Sequence, residues 1–199
     1  MHKLFPIKLG FNNKKYYPIK KIRKKFFLII GRHNPHKNLR RVIKAFAYSK
    51  INDYKLIFVG PFDKRHTPIL LKLIDKHNIR HLCVWKGWID DDEKLSLLNE
   101  CHALIIASLW EGFGLPALEA MACGTPVIAS DRGALREVMG NYGYFINPFN
   151  IQSIACAMNA VINDKKCFEK ALQEGPSRAE SFNWLDTART IEKIIQEID

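Results

Sequence analysis

ALIIASLWEGFGLPALEAMACGTPVIAS, residues 103–130, decides how this chain folds. An apolar run over 103–107 ends at Ser108, and a loop with Glu111, Gly112 and Gly114 follows. Leu115 opens a helical stretch over 115–123, and a second apolar run occupies 126–130. Both runs are apolar throughout rather than alternating, as strands covered on both faces are. The unit therefore reads strand, loop, helix, turn, strand. It also raises a chemical question, because two acids, Glu111 and Glu119, bracket a loop shaped for close backbone approach.

Outward from this unit the same alternation fills the chain from residue 26. Strands are expected over 26–30, 54–59, 82–85, 103–107, 126–130 and 144–146. Helices are expected between and after them, over 38–49, 67–77, 91–101, 115–123, 134–139 and 151–162. Such alternation predicts an α/β fold, a Rossmann-like doubly wound parallel sheet. Ligands of these sheets bind beyond the carboxyl ends of the strands. A short helix over 167–173 is expected to stop at Glu174-Gly175-Pro176. The last segment places Trp184, Leu185, Ala188, Ile191, Ile194, Ile195 and Ile198 on one helical stripe, expected to dock on the domain or on something outside it. The division that follows is a basic linker-like segment over 1–25, one domain over 26–180 and a terminal helix over 181–199.

Composition sets the bounds. A chain of 199 residues, 47% hydrophobic, can bury a full core. No apolar run approaches the ~20 residues that span a bilayer. Residues 1–10 lack a signal-peptide pattern. The five cysteines have scattered spacings and no C-x-x-C pair, which argues against zinc and against a disulfide framework. The expectation is a soluble protein of a reducing cytoplasm. The net charge of +11 gathers in 14–25, where Lys14, Lys15, Lys20, Lys21, Arg23, Lys24 and Lys25 crowd together. That cluster reads as a solvated face, as a contact for an anionic membrane or polyanion, or, last, as a nucleic-acid contact unsupported by any recognised motif.

Two loops carry the chemistry. In GRHNPHKN, residues 31–38, Gly31 allows a sharp exit from the first strand, and Arg32 and Lys37 flank an Asn34-Pro35 turn. A planar donor fork and a compact ammonium suit a diphosphate. In the quoted unit, Gly112 and Gly114 permit unusual dihedrals, and Pro116 suits the first turn of a helix. The free amides of that helix start can receive a phosphate. Glu111 would repel phosphate, so its partner is a neutral, hydroxyl-rich group, and Glu119 can hold a second diol. Each feature alone reads as an ordinary surface residue. Together they describe a nucleoside diphosphate sugar.

These residues resemble a known family. EGFGLPALEAMACGTPVIAS is similar to the E-x7-E signature of retaining family 4 glycosyltransferases with the two-domain B-type fold. GRHNPHKN resembles their Arg and Lys diphosphate pair, GALREVMGNYGYFINPFNIQSIACAM the segment that follows, and KLGFNNKKYYP the linker entering the nucleotide-binding domain. The resemblance implies that Glu111 meets the donor sugar and Glu119 the ribose. It implies that amides from Phe113 to Leu115 meet sugar and phosphate, with Arg32 and Lys37 on the diphosphate. It also implies a separate N-terminal acceptor-binding domain, since the chain starts at the linker, and no metal or other cofactor. His102 and Ala107 depart from the family's usual aspartate and proline.

Other features have plainer readings. WIDDDE, residues 88–93, offers Asp90 as a helix cap with Glu93 as its reciprocal partner, rather than a metal-binding D-x-D. Gly87 and Trp88 stand where a nucleobase pocket would be, with packing an equal alternative for Trp88. Cys123 reads as a small buried residue, and His33 and His36 lie beside the diphosphate loop. A rival class is a non-catalytic nucleotide- or polyanion-binding regulatory module. A nicotinamide-dependent oxidoreductase is disfavoured, since no G-x-G-x-x-G follows the first strand.

Overall fold

The computed structural model describes residues 5–198, with side chains to 197. Residues 1–4, part of the stretch read for a leader, and the Ile198 side chain lie outside the described residues. Six strands, β1 (Phe26–Ile30), β2 (Lys55–Val59), β3 (Cys83–Lys86), β4 (Ala103–Ile106), β5 (Val127–Ser130) and β6 (Tyr144–Ile146), form one parallel sheet in the order β3-β2-β1-β4-β5-β6. The order reverses between β1 and β4, the switch point at which sheets of this kind open a crevice.

Helices cover both faces. α3 (Asp91–Glu100), α4 (Leu115–Ala122), α5 (Leu135–Met139) and α7 (Cys167–Glu180) lie on one side, and α1 (Leu39–Ser49), α2 (Thr67–Lys76) and α6 (Ile151–Asn163) on the other. Strand β1 shows why the run is unbroken. Phe26 and Leu28 enter the first core, and Phe27 and Ile29 the second. Both faces being buried, an alternating polar residue would leave a group without water or partner.

The expected strands and crossover helices occupy their places with shifts of a residue or so at the ends. Asn38, expected in α1, precedes it with a φ of 59°, and Pro126 falls just before β5.

One expectation is corrected. The helix expected to stop at Gly175-Pro176 continues through them to Glu180. Gly175 lets α7 close onto α4, since a Cβ there would stand 2.5 Å from the Met121 carbonyl oxygen. Pro176 forfeits one helical hydrogen bond, but Arg178 beyond it donates to the carbonyls of Val138, at 3.0 Å, and Glu137. Of the two readings of the stripe on α8 (Trp184–Ile198), docking on the domain is not what the fold shows. Trp184, Leu185, Ile191 and Ile195 are exposed, and Thr187 is the buried contact, donating to the Lys8 carbonyl at 2.8 Å.

The basic segment runs along α3 and is stitched to it. Asn99 accepts from the Ile19 amide at 2.7 Å. Lys15 pairs with Asp91, Lys21 and Lys24 both with Glu100, and Lys25 with Asp53. Arg23 reaches furthest in, donating to the carbonyls of Leu98, Cys101 and Gly124 and to the Thr125 hydroxyl. The charge cluster is thus in large part an internal seam. Among the described residues no helix is long and apolar enough to cross a membrane.

Candidate functional site

β1 and β4 are neighbours, so their exit loops meet at the switch point. Gly31, with φ 137°, turns the chain out of β1, and a 3-10 turn, Pro35–Lys37, brings Lys37 back. The His36 carbonyl accepts from the Leu109 amide at 2.7 Å, which ties the two loops together. Lys37 Nζ then stands 2.6 Å from Glu111 Oε1, and the buried Ser108 hydroxyl donates to the same oxygen at 2.6 Å. The carboxylate is fixed through one oxygen. Arg32 is exposed and has no ion-pair partner among the described residues.

The start of α4 is built as a cradle. Gly114 adopts a left-handed φ of 97° before Leu115, and a Cβ there would strike Leu135 at 2.6 Å, so only glycine makes this entry. A Cβ on Gly112 would meet nothing within 4 Å, so the loop is open on that side. Phe113 turns its ring inward against Phe182, at 5.8 Å, and presents only its backbone to the edge. The amides of Gly112, Phe113, Gly114 and Leu115 have no internal acceptor among the described residues. They lie at and just before the start of α4, the positive end of the helix.

Glu119 lies one turn into α4 and is 8% exposed. Lys94 from α3 approaches its carboxylate to 2.6 Å and also lies 5.3 Å above the Tyr16 ring. Burial, reinforced by the Glu119 charge, pushes the Tyr16 phenol well above its ordinary pKa, so it stays a neutral donor beside the carboxylate. Both expected acids are therefore held by lysines, and neither is the loose surface acid that its sequence neighbours alone suggest.

The remaining expected residues divide. Gly87 and Trp88 follow β3, two strands from β1, and among the described residues no hydrogen bond or ion pair joins them to Arg32 or Glu111. Trp88 is 80% exposed, so of its two readings packing fails. His36 is exposed and His33 buried. Asp90 caps α3, accepting from the Glu93 amide at 2.7 Å, while Glu93 turns to Lys86 instead of reciprocating. Among the described residues no three His, Cys, Asp or Glu side chains gather as metal ligands.

Sequence reasoning missed four supports. Ser108 had a signal, sitting at the end of its strand three residues before Glu111. Lys94 and Tyr16 had none, since they reach Glu119 only through the packing of α3 and the N-terminal segment on α4. Gly133 was missed too. Its left-handed turn lets the Ala134 amide donate to the Glu111 carbonyl at 3.0 Å, and a Cβ at Gly133 would stand 2.4 Å from that oxygen.

Sheet order, helix-start cradle and paired acids at the switch point define a class, an α/β domain of the B-type glycosyltransferase fold. Residues 13–178 match the family described as glycosyl transferases group 1, and the chain belongs to that family. It is 30% identical over 201 residues to the alpha-1,3/1,6-mannosyltransferase ALG2 of Dictyostelium discoideum, covering 91% of this chain and 48% of that protein. The C-terminal domain of a glycosyl transferase group 1 family protein, LpcC, from Francisella tularensis superposes with a TM-score of 0.75 at 27% identity, covering 86% of this chain and 97% of that one. Alr3699/HepE of Anabaena, solved with UDP and glucose, shares the fold with a TM-score of 0.85 at 21% identity, covering 94% of this chain and 55% of that one. The chain spans between 20% and 48% of the length of such curated relatives.

Proposed function

We propose that this chain is the donor-binding domain of a retaining family 4 glycosyltransferase. It would hold a nucleoside diphosphate sugar at the switch point, for transfer to a hydroxyl acceptor carried by a further domain. One observation carries the reading: two lysine-held glutamates stand either side, in sequence, of four amides at the start of α4 that have no acceptor among the described residues. The E-x7-E spacing then has a physical sense. Glu119 accepts from the ribose hydroxyls, Glu111 from hydroxyls of the sugar, and the amides between them receive the diphosphate.

As the sugar–phosphate bond lengthens, charge grows on the departing diphosphate. In this reading Arg32, the ammonium of Lys37 and the α4 amides meet that charge, which is how preorganised donors lower a barrier. Lys37 has three donors and can keep Glu111 while adding a phosphate oxygen. Charge neutralisation in this reading falls to side chains and amides, without a metal. Trp88, exposed beyond β3, offers its face to the base. Several curated relatives are named mannosyltransferases, and one structural neighbour was solved with UDP, which supports a hexosyl nucleotide without choosing its base. The paired lysines of 14–25 give no support to a polyanion-binding module.

Calorimetric titration with UDP, GDP and ADP, and with the sugar nucleotide of whichever binds, tests this. One nucleotide should bind saturably, and Glu119→Ala and Arg32→Ala should each weaken it at least tenfold. A folded chain that binds none of them at millimolar concentration sinks the reading.

A further inference from the structure

A second cavity lies on the opposite face of the sheet from Glu119. It has a volume of about 830 Å³ and opens between the N-termini of α1 and α2 and the loop before α6. None of Arg32, Lys37, Glu111 and Glu119 lines it, and no aspartate or glutamate does. Its cations are Arg40, Arg41 and Lys44 from α1, with His66 at the start of α2.

These cations break a local rule. Acids are favoured in the first turn of a helix and cations in the last, because the amides at the start carry positive partial charge. α1 has no acid in its first turn, and Arg40 and Arg41 occupy its second and third positions. Asn38, placed to cap the helix, instead spends its amide on the carbonyls of Ala107, at 3.0 Å, and Pro148, at 2.7 Å. Among the described residues Arg40, Arg41 and Lys44 make no ion pair, whereas most of the basic segment does. Arg41 donates to the Asn38 side chain at 3.0 Å and lies 5.5 Å from the Phe149 ring, whose other neighbour is Arg132 at 5.7 Å. Sequences that violate a local preference without internal compensation do so most often at functional sites.

The wall holds a further, independent sign. His33 is 4% exposed and lines the cavity. Its Nδ1 lies 2.9 Å from the Thr67 hydroxyl oxygen, which already accepts the Asp63 amide at 2.9 Å. With no other acceptor for the Thr67 proton among the described residues, that proton goes to Nδ1, and Nε2 carries the ring hydrogen. Nε2 is then a buried donor with no hydrogen-bond partner among the described residues, on a ring that packs edge-on to Trp85 with centroids 4.9 Å apart. Ile69, Leu109 and Phe149 add apolar surface, so the cavity suits an anion with an organic body rather than a bare ion.

We propose that this cavity binds a phosphate-bearing small molecule at a site separate from the sugar-nucleotide crevice. The phosphate meets Arg40, Arg41 and Lys44 at the uncapped start of α1, and the body lies against Phe149. The two sites share one short turn, since Pro35 lines the cavity and Lys37, two residues on, holds Glu111.

The test uses pyrophosphate as probe, titrated calorimetrically at fixed ionic strength into the chain carrying Arg32→Ala and Lys37→Ala, so that the cations of the first crevice are gone. Saturable binding with a submillimolar Kd is expected. Adding Arg40→Gln, Arg41→Gln and Lys44→Gln should weaken it at least tenfold, while Lys14→Gln, Lys20→Gln and Lys193→Gln, which remove three exposed charges elsewhere, should leave it unchanged. Equal weakening by both triples overturns the proposal in favour of diffuse attraction to a basic chain, and so does the absence of saturable binding. Should the first triple fail to fold, Arg41→Gln alone decides by the same criterion. Because the donor-site cations are already removed, failure here leaves the nucleotide titrations untouched.

Discussion

Two groups of cations, close in sequence, meet opposite fates. In the segment 14–25, Lys15, Lys21, Lys24 and Lys25 find carboxylates, and Arg23 is drawn inward onto three carbonyls and a hydroxyl. In the first half of α1, Arg40, Arg41 and Lys44 find none among the described residues, although that helix start repels them. The denser cluster is the more conspicuous in the sequence, yet it is mostly structural. Charge density is therefore a poor guide to a binding surface. What distinguishes one is charge that the fold leaves uncompensated, and Arg32 belongs with α1 in that respect.

The largest effect that could break this contrast is at Arg23. Burial lowers its pKa, so its desolvation has to be offset by the four bonds it makes. Arg23→Met would strip the donor from three carbonyls and the Thr125 hydroxyl at once. At about 1–3 kcal/mol for a buried group deprived of its partner, and allowing for relaxation, a loss of about 3 kcal/mol is expected, read from the urea midpoint. A loss under about 1 kcal/mol would mean that the seam holds without its buried member.

Next comes Arg32→Ala, which should leave stability nearly unchanged, since Arg32 is exposed and unpaired, and lower nucleotide affinity at least tenfold, about 1.4 kcal/mol. The reverse pattern, lost stability with intact affinity, would place Arg32 with the structural cations and break the contrast at its other end.

How much of this was legible in the sequence follows from what each feature depends on. The sheet was, because every strand needs apolar residues on both faces and local composition shows that. The paired acids, the glycine entry to α4 and the Arg32–Lys37 loop were, because each lies within one short stretch. The end of α7 was not. Gly175 and Pro176 punctuate a helix locally, but the close approach of Met121 makes glycine a packing residue there. Nor were Lys94 and Tyr16, whose place beside Glu119 exists only once α3 and the N-terminal segment lie against α4. The pairing of the basic segment was hidden for the same reason, since its acids Asp53, Asp91 and Glu100 come from other elements.

A pH series sharpens the α1 side. Burial lowers the His33 pKa, and that of His102 in the second core, below the ordinary histidine value. The unfolded chain then binds protons that the folded one refuses as pH falls below ~6.5. Stability contributed by the neutral rings is therefore full above that pH and declines as pH drops toward their lowered values. Urea midpoints measured from pH 7.5 to 5 should fall, and His33→Asn should flatten the curve in part. An unchanged slope in His33→Asn would mean that this ring is not held neutral at the cavity wall.

The smallest effect is expected where the sequence drew most attention, at the surface lysines. The Lys24 side chain is 62% exposed although its Nζ lies 2.5 Å from Glu100. Burial alone would raise the Glu100 pKa, but the hydrogen bonds from Lys24, Lys21 and Ser96 outweigh it and hold the carboxyl below its ordinary value. Lys21 remains when Lys24 is removed, so Lys24→Met should cost only about 0.5 kcal/mol in dilute buffer. The cost should vanish near 1 M salt, where screening acts over about 3 Å. Loss of Lys21 as well should exceed twice that of Lys24 alone, because Glu100 would then be a half-buried carboxylate with only Ser96 beside it. Additive, salt-independent losses would instead mean that the lysines act through the packing of their stems on α3. The segment would then be held by stem packing and by the hydrogen bonds of Arg23, not by its surface ion pairs.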